Sequence, residues 1–235
     1  MAEEPGQAIW LRPEHSPVGR PAQRSRAEIT AAAIAIADRE GLDAVSMRRV
    51  AADLGTGAAS LYRYVDTRDD LVDLMTDATG AEYRFPAAGG DWLGGLLAVG
   101  EQSRAIMRRH PWLPTLVTTR GVLGPNGVAL LEHVLDVLAP HPADTTTKLE
   151  AFAMLTAITA LFVQQEIAGG SALQQRNAAY LVHAVTAGDH PRLAHLLTQA
   201  PAAAADPADR YRDILTRVLT GLLGLAGAGQ GRAAP

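Results

Sequence analysis

The chain of 235 residues contains no cysteine, which excludes disulfide bonds, thiolate zinc sites, iron–sulfur clusters and a cysteine nucleophile. Aromatic residues make up only 5% of it, and the residue types that favour strands are sparse. Alanine, the strongest helix former, supplies 44 residues instead. Lysine occurs once, at Lys148, against 20 arginines, a bias that GC-rich coding alone can produce. We therefore expect an all-α fold.

An overall basic charge is also lacking, since the formal net charge is −4 and the pI about 6.0. Taken over the whole chain, this balance argues mildly against nucleic-acid binding. The average hides a local difference, because residues 20–68 hold eight arginines and six acidic residues, whereas residues 69–84 hold five acidic residues and one arginine. A modestly basic surface in the first stretch is therefore compatible with DNA binding.

Membrane and metal signals are absent as well. No apolar run approaches the ~20 residues that a bilayer span requires, and the N-terminal MAEEPGQAIW lacks the basic-then-apolar layout of a secretion signal. No histidine or acidic set has metal-ligand spacing, because His190 and His195 do not share a helical face. We expect a cytoplasmic protein without membrane contact, metal or cofactor.

Proline and glycine divide the chain into four parts. Residues 1–23 are expected to form a flexible arm, in which Trp10 either docks on the domain surface or makes a functional contact. A small domain over residues 24–84 is followed by the breaker FPAAGG at 85–90. A larger helical domain is expected over residues 91–223, and a disordered tail over residues 224–235.

The small domain has the signals of a helix-turn-helix unit at about residues 46–65. Capping boxes at Ser25 and Thr67 predict the starts of the first and fourth helices. Between them, a helix from Ser46 ends at Gly55, and a short helix at residues 58–64 follows after a glycine-containing turn. In such a unit the second helix of the pair enters the DNA major groove.

Helical periodicity directs Leu61 and Val65 to the core, so the polar side chains around them are expected to face outwards. Arginines before the first helix can follow the DNA backbone or minor groove. Any three-helix packing unit has the same periodicities, so the pattern alone leaves a purely structural interpretation open. The candidate DNA-binding residues are Arg24, Arg26, Ser46, Arg48, Arg49, Ser60, Tyr62, Arg63 and Tyr64.

Residues 41–75, GLDAVSMRRVAADLGTGAASLYRYVDTRDDLVDLM, closely resemble the DNA-binding domain of the tetracycline-repressor (TetR) family. HPWL at 110–113 and GPNG at 124–127 resemble its tetracycline-repressor-like C-terminal domain, so the resemblance covers roughly residues 20–223. It implies an all-α fold with an N-terminal three-helix helix-turn-helix domain and a larger ligand-binding and dimerisation domain. It also implies DNA contacts by Ser60, Tyr62, Tyr64, Arg48 and Arg68. Ala58 and Ala59 depart from the larger polar residues of many relatives, so the operator sequence is not predicted.

The larger domain is expected to form a homodimer. Apolar residues nearly encircle the segment 147–168, and a helix that is apolar all round must be buried on more than one side. Together with the last helix, it would build a four-helix bundle between two chains, as the resemblance also implies; a monomer with both helices in its core is the alternative. The candidate interface residues are Ala153, Ala157, Leu161, Leu215, Val218, Leu219 and Leu222.

A ligand pocket is expected between the helices that start at Asp91, Asn126 and Thr147. Aromatic residues interleaved with polar groups suit a mostly apolar pocket, although each is equally explained as ordinary core. The candidate lining residues are Trp92, Met107, Trp112, Leu116, Phe152, Thr156, Thr159, Phe162 and Gln165.

These observations favour a repressor that a small-molecule effector of unknown identity releases from double-stranded operator DNA. A helical interaction protein that no longer reads DNA is the alternative. An enzyme is disfavoured, because the chain has no zinc-protease, P-loop or G-x-S-x-G motif.

Overall fold

Eleven α-helices build the part of the chain that the computed structural model describes, which comprises residues 8–13, 24–87, 89–169, 172–188, 190–198 and 206–229. The helices are α1 (Arg26–Glu40), α2 (Met47–Asp53), α3 (Ala58–Leu61), α4 (Arg68–Thr79), α5 (Trp92–Arg109), α6 (Leu113–Thr119), α7 (Pro125–Val137), α8 (Thr145–Ala168), α9 (Ala172–Thr186), α10 (Pro191–Thr198) and α11 (Pro207–Gly229). The expected all-α fold is confirmed.

Helices α1–α4 form the N-terminal domain. Both predicted capping boxes are present, with the Ser25 hydroxyl accepting from the Glu28 N–H and the Thr67 hydroxyl from the Asp70 N–H. Helix α4 ends at Thr79 and is followed by a short 3₁₀ helix (Gly80–Glu82). The buried residues of the N-terminal domain include Ile29, Ile36, Val50, Leu61, Val65, Leu71 and Met75.

The C-terminal domain is centred on α8, which packs against α5, α6 and α11. Leu215 and Leu219 of α11 are fully buried against this core, so their expected place in a dimer interface is wrong. The apolar stripe of α11 is used within its own protomer. Sequence periodicity cannot tell which partner covers such a stripe.

A hydrogen bond between Thr159 and Tyr211 connects α8 to α11. The Thr159 hydroxyl donates to the Leu155 carbonyl and lies 2.8 Å from the Tyr211 hydroxyl, with Thr159 fully buried. Burial raises the pKa of Tyr211 to about 12, against the lowering effects of the Thr159 hydrogen bond and the Arg104 charge. Thr159 is therefore a packing residue of the core, and its expected place in a ligand pocket is wrong.

Helix α8 departs from two expectations. It begins at Thr145, where Asp144 accepts from the Thr147 N–H, so Thr147 is not the cap. With 24 residues and a mean hydropathy of 1.4, it is also long and apolar enough to cross a membrane by length and composition alone, contrary to the expectation that no segment approaches this. Of its most apolar 18-residue window, 28% is buried within the protomer, so the contacts with three helices cover only part of its apolar surface.

The two ends of the chain also differ from the expected disorder. Helix α11 runs to Gly229, so residues 224–229 are helical, and residues 230–235 lie outside the described residues. Near the N-terminus, Ile9–Leu11 form a 3₁₀ helix in which Ile9 is buried. The other residues of the predicted arm, 1–7 and 14–23, lie outside the described part.

Candidate nucleic-acid interface and interdomain cavity

The helix-turn-helix unit consists of α2, the turn Leu54–Gly57 and α3. Gly55 allows the turn because its φ of 64° lies in the left-handed region, where a Cβ is unfavourable. The Thr56 N–H then donates to the Ala51 carbonyl at 2.9 Å. Helix α3 ends at Leu61, followed by a turn through Tyr64 instead of the predicted helix to residue 64.

Arg48, Tyr62 and Arg63 are the exposed side chains of this unit that stay available to a ligand. The Tyr62 side chain is 51% exposed although it is large and aromatic, and both arginines are exposed. Within the part of the chain that the structure describes, none of the three has a hydrogen bond or an ion pair. Two guanidinium groups and a phenol in this state suit phosphates and base edges.

Two other predicted DNA contacts are internal instead. Arg26 is half-buried, and its guanidinium group donates to the carbonyls of Tyr64, Ile9, Arg12 and Pro13 at 2.8–3.1 Å. The Tyr64 ring is only 8% exposed and belongs to the core. Packing and carbonyl partners occupy both side chains within the protomer, and a DNA contact by either remains a prediction.

The remaining predicted contacts have structural partners as well. Arg24 donates to the Leu54 carbonyl at 2.6 Å, and Arg49 pairs with Glu40 at 2.7 Å. Arg68 donates to the carbonyls of Val45 and Leu42. These hydrogen bonds attach the start of α4 to the connection between α1 and α2.

Two hydroxyls of the unit serve its own helices. Ser46 caps α2 by accepting from the Arg49 N–H, and the Ser60 hydroxyl donates to the Gly57 carbonyl at 2.8 Å. Both residues shape the unit, and a DNA contact by either remains a prediction.

Asp77 of α4 joins the N-terminal domain to α7. Its carboxylate is 8% exposed and accepts from the Gly127 N–H at 2.9 Å and from the Asn126 side-chain amide at 3.0 Å. A carboxylate at the N-terminus of a helix satisfies free N–H groups and complements the helix dipole. No local sequence signal marks this residue, since its partners lie 49 and 50 residues away.

Arg120 forms a second link between the domains. It follows α6 and pairs with Asp73 at 2.9 Å and Asp69 at 3.2 Å, both on α4. Burial opposes the charged form of Arg120, but these two carboxylates outweigh it and raise its pKa. Its guanidinium group therefore stays charged, and the two carboxylates balance its charge and fix its orientation.

His110 of the HPWL segment is the centre of a third link. Its Nδ1 lies 2.8 Å from an Asp38 oxygen and its Nε2 lies 2.7 Å from a Glu82 oxygen, while the Trp112 indole donates to Asp38 at 2.7 Å. Burial opposes ionisation of Glu82, but the hydrogen bonds from Arg109 and His110 outweigh it and lower its pKa. Trp112 thus faces α1, and its expected place in a ligand pocket is wrong.

The segment at residues 8–13, here called the N-terminal strap, crosses the same domain boundary. Arg12 pairs with Asp66 and Asp70 of the N-terminal domain. The ring of Trp10 packs on Gly124, just before α7, so closely that a Cβ on Gly124 would lie 2.5 Å from two ring carbons. Trp10 therefore docks on the domain surface, as one of the two interpretations predicted.

Gly124→Ala should consequently destabilise the protein by roughly 1–3 kcal/mol, because the new methyl group overpacks against Trp10 and the Asp77 carboxylate. Gly121→Ala is a matched control in the same loop, since nothing lies within 4 Å of its added Cβ. Urea unfolding followed by tryptophan fluorescence measures the difference. Equal losses for both variants would contradict the close packing at Gly124.

A cavity of about 470 Å³ lies between the domains, next to these links. Its walls come from α4, α5, α6, the loop at 120–124, α7 and α8. They include both Asp77 and Arg120, together with mostly apolar side chains. The lining residues are Thr76, Asp77, Thr79, Gly80, Tyr83, Met107, Leu113, Val117, Thr118, Arg120, Gly121, Val122, Leu123, Gly127, Leu130, Leu131, Phe152, Ala153, Thr156 and Ala157.

Of the predicted lining residues, Met107, Phe152 and Thr156 line this cavity. Ala153 and Ala157, expected in a dimer interface, line it too. The other predicted residues lie elsewhere. Trp92 contacts His141, Phe162 packs edge-on against Tyr211, Leu116 is buried in the core, and Gln165 is exposed.

The exposed face of α8 is apolar over much of its length. Leu161 is 52% exposed and Met154 42% exposed, and Ala157 lies between them at helical spacing. On α11, Val218 and Leu222 are half-buried. Among the described residues, no cluster of three histidine or acidic side chains could hold a metal ion.

Two family models match the chain. Residues 29–75 match "Bacterial regulatory proteins, tetR family", and residues 85–225 match "Tetracyclin repressor-like, C-terminal domain". Among curated proteins, the chain is 46% identical over 114 residues to the HTH-type transcriptional repressor DrrR1 of Streptomyces coeruleorubidus, covering 48% of this chain and 42% of that one. It is 38% identical over 133 residues to an HTH-type transcriptional regulator of Saccharopolyspora erythraea, covering 56% of each. The chain thus spans about half the length of these relatives.

Solved structures give a longer match. Apo ActR from Streptomyces coelicolor superposes with a TM-score of 0.76 at 29% identity, over 89% of this chain and 100% of that one. The complex of ActR with actinorhodin superposes with a TM-score of 0.74 at 29% identity, over 88% and 98% of the two chains. Since the C-terminal model alone covers 141 of the 235 residues, the chain belongs to the TetR family of bacterial transcriptional regulators.

Proposed function

We propose that this chain is a homodimeric repressor that binds operator DNA and is released by a small molecule bound in the cavity. The observation that carries the proposal is that Asp77 and Arg120 have two roles at once. Both line the cavity, and both fasten α4 of the DNA-binding domain to the C-terminal domain. A molecule in the cavity therefore acts directly on the contacts that set the position of the helix-turn-helix unit.

DNA binding is assigned to the exposed, unoccupied side chains of that unit. Arg48, Tyr62 and Arg63 contact bases or phosphates, whereas Arg24, Arg49 and Arg68 hold the unit in shape and add positive charge. Residues 20–68 hold eight arginines and six acidic residues, in a chain whose net charge is −4. Non-specific affinity is thus low, and operator binding depends on two units acting together.

The dimer is assigned to the exposed apolar face of α8. A side chain such as Leu161, half exposed on the longest helix, is stabilised when a second copy covers it. Dimerisation also sets the distance between the two DNA-binding units, which must match half-sites about one helical turn apart (~34 Å). A shift of α4 by a few ångströms in each chain then breaks the match.

Two findings on relatives support a repressor that responds to a small molecule. DrrR1 is described as a transcriptional repressor, and ActR has been crystallised with actinorhodin. By analogy, the cavity of this chain is its effector site.

The proposal is tested with the DNA upstream of the chain's own gene. The purified protein should retard this fragment, and not a fragment of equal length from inside a coding region. Extracts of the source organism should then be screened for a compound that releases the fragment and copurifies with the protein. A dimer that does not distinguish the two fragments would refute the proposal and favour a helical interaction protein.

A further inference from the structure

We propose that the cavity takes an uncharged, largely apolar molecule that carries hydroxyl or N–H hydrogen-bond donors. This inference rests on the proposed effector function, since it names the chemistry of the molecule that the same cavity binds. Three properties of the lining carry it: the state of its charges, the direction of its hydroxyl hydrogens and the composition of its walls.

Both charged groups of the lining already have partners. The Arg120 guanidinium group faces the carboxylates of Asp69 and Asp73 on α4. The Asp77 carboxylate accepts hydrogen bonds from Asn126 and Gly127 at the start of α7. A charged ligand would have to leave water without finding a free counter-charge, which is costly in a mostly apolar cavity. An uncharged ligand has no such cost.

Threonine hydroxyl groups of the lining already donate their hydrogens to backbone carbonyls. Thr76 donates to the Val72 carbonyl at 2.8 Å, Thr79 to the Thr76 carbonyl at 2.7 Å and Thr156 to the Phe152 carbonyl at 3.1 Å. Each hydroxyl oxygen retains lone pairs that can accept a further hydrogen bond. These hydroxyl groups can therefore offer a ligand acceptors and no donors.

The Tyr83 hydroxyl group also donates its hydrogen within the protein. The Ser103 hydroxyl donates to the Val99 carbonyl at 2.9 Å, so the hydrogen between Ser103 and Tyr83, 2.7 Å apart, comes from Tyr83. The Tyr83 hydroxyl hydrogen is then already used and cannot be donated to a ligand. A ligand that brings its own donors satisfies these oxygens, whereas one with acceptors alone leaves them unpaired.

The rest of the wall is apolar. Leu113, Val117, Leu130, Leu131 and Phe152 are among the side chains that line it. With a volume of about 470 Å³, the cavity lies in the range of small-molecule sites, which combine apolar walls with a few orienting polar groups.

Three probes with one ring system separate these properties: 2-naphthol is a neutral donor, 2-methoxynaphthalene is neutral without a donor, and 2-naphthalenesulfonate is an anion. Ligand-observed NMR and calorimetry at pH 7 measure their affinities for the full-length protein. We expect 2-naphthol to bind about fivefold more tightly than 2-methoxynaphthalene, from one added hydrogen bond. The sulfonate should bind at least about tenfold more weakly than 2-naphthol. Sulfonate binding equal to that of 2-naphthol, or no detectable 2-naphthol binding, would overturn the proposal.

A gain-of-function variant assigns the effect to this cavity. Asp69→Asn/Asp73→Asn removes both partners of Arg120 and leaves its charge free, so the affinity for 2-naphthalenesulfonate should rise at least about tenfold. The variant Asp209→Asn/Asp213→Asn removes the same charge from α11 and should leave sulfonate binding unchanged. Circular dichroism and thermal unfolding check that both variants fold. An equal rise in both variants would place sulfonate binding outside the cavity and contradict the proposal.

Failure of the proposed function is distinguishable, because the probe affinities are measured without DNA. A chain that binds the probes in the expected order but fails to distinguish its upstream DNA retains the cavity chemistry and loses the repressor assignment. A chain that binds this DNA but binds the sulfonate more tightly than 2-naphthol retains the repressor assignment, and the proposed cavity chemistry is then wrong.

Discussion

Arg48→Ala is expected to abolish specific operator binding while the dimer stays intact. An arginine that reads a base contributes about 1–3 kcal/mol, and the dimer carries two copies, so the loss is roughly 30-fold to 10⁴-fold in affinity. The side chain is exposed on α2 and has no ion pair among the described residues. Tyr62→Ala, which removes a phenol that is 51% exposed, should act in the same direction.

Fluorescence anisotropy on the upstream fragment, at several salt concentrations, measures the loss. Arg39→Ala is the matched control, because Arg39 is also an exposed arginine of the N-terminal domain but already faces Glu40 and Asp53. Sedimentation should give dimers for every variant. If Arg48→Ala and Tyr62→Ala both bind with wild-type affinity and salt slope, the assignment of the DNA-binding side chains is wrong.

Leu161→Arg is expected to convert the dimer into a folded monomer. The side chain is 52% exposed in one protomer, so an arginine fits there without disturbing the core. At the centre of an apolar face between two copies, the substitution brings two uncompensated charges together and loses apolar burial. Operator affinity should fall by at least about 10³-fold, since one unit alone then binds one half-site.

Sedimentation at micromolar concentration should show a mass near twice 24.8 kDa for the wild type and near 24.8 kDa for the variant. Val128→Arg is the control, because Val128 is 51% exposed on α7 and should leave the dimer unchanged. A wild-type chain that is monomeric, or a Leu161→Arg variant that stays dimeric, would refute the α8 interface.

The helix-turn-helix unit could be predicted because its signals are local. The capping boxes at Ser25 and Thr67 and the left-handed Gly55 each act within a few residues. As a polar side chain, Tyr64 is expected to face outwards, yet it follows Leu61 by three residues, a spacing that places both on one side of a helical turn. Its ring accordingly lies in the core with Leu61.

The cavity and the links around it could not be predicted in this way. Arg120 pairs with Asp73 across 47 residues of sequence, and Asp77 reaches Gly127 across 50. No periodicity encodes such pairs. The faces of α8 and α11 were ambiguous for a related reason, because an apolar stripe does not record whether its own chain or a second copy covers it. Leu219 is covered within the protomer, whereas Leu161 is exposed there.

The N-terminal strap has a practical consequence for anyone who purifies this protein. Ile9 is buried and Trp10 packs on Gly124 beside the cavity, so an N-terminal affinity tag is joined to the chain within a few residues of contacts that connect both domains. Measurements of effector release are then best made with a tag at the opposite end, or after its complete removal.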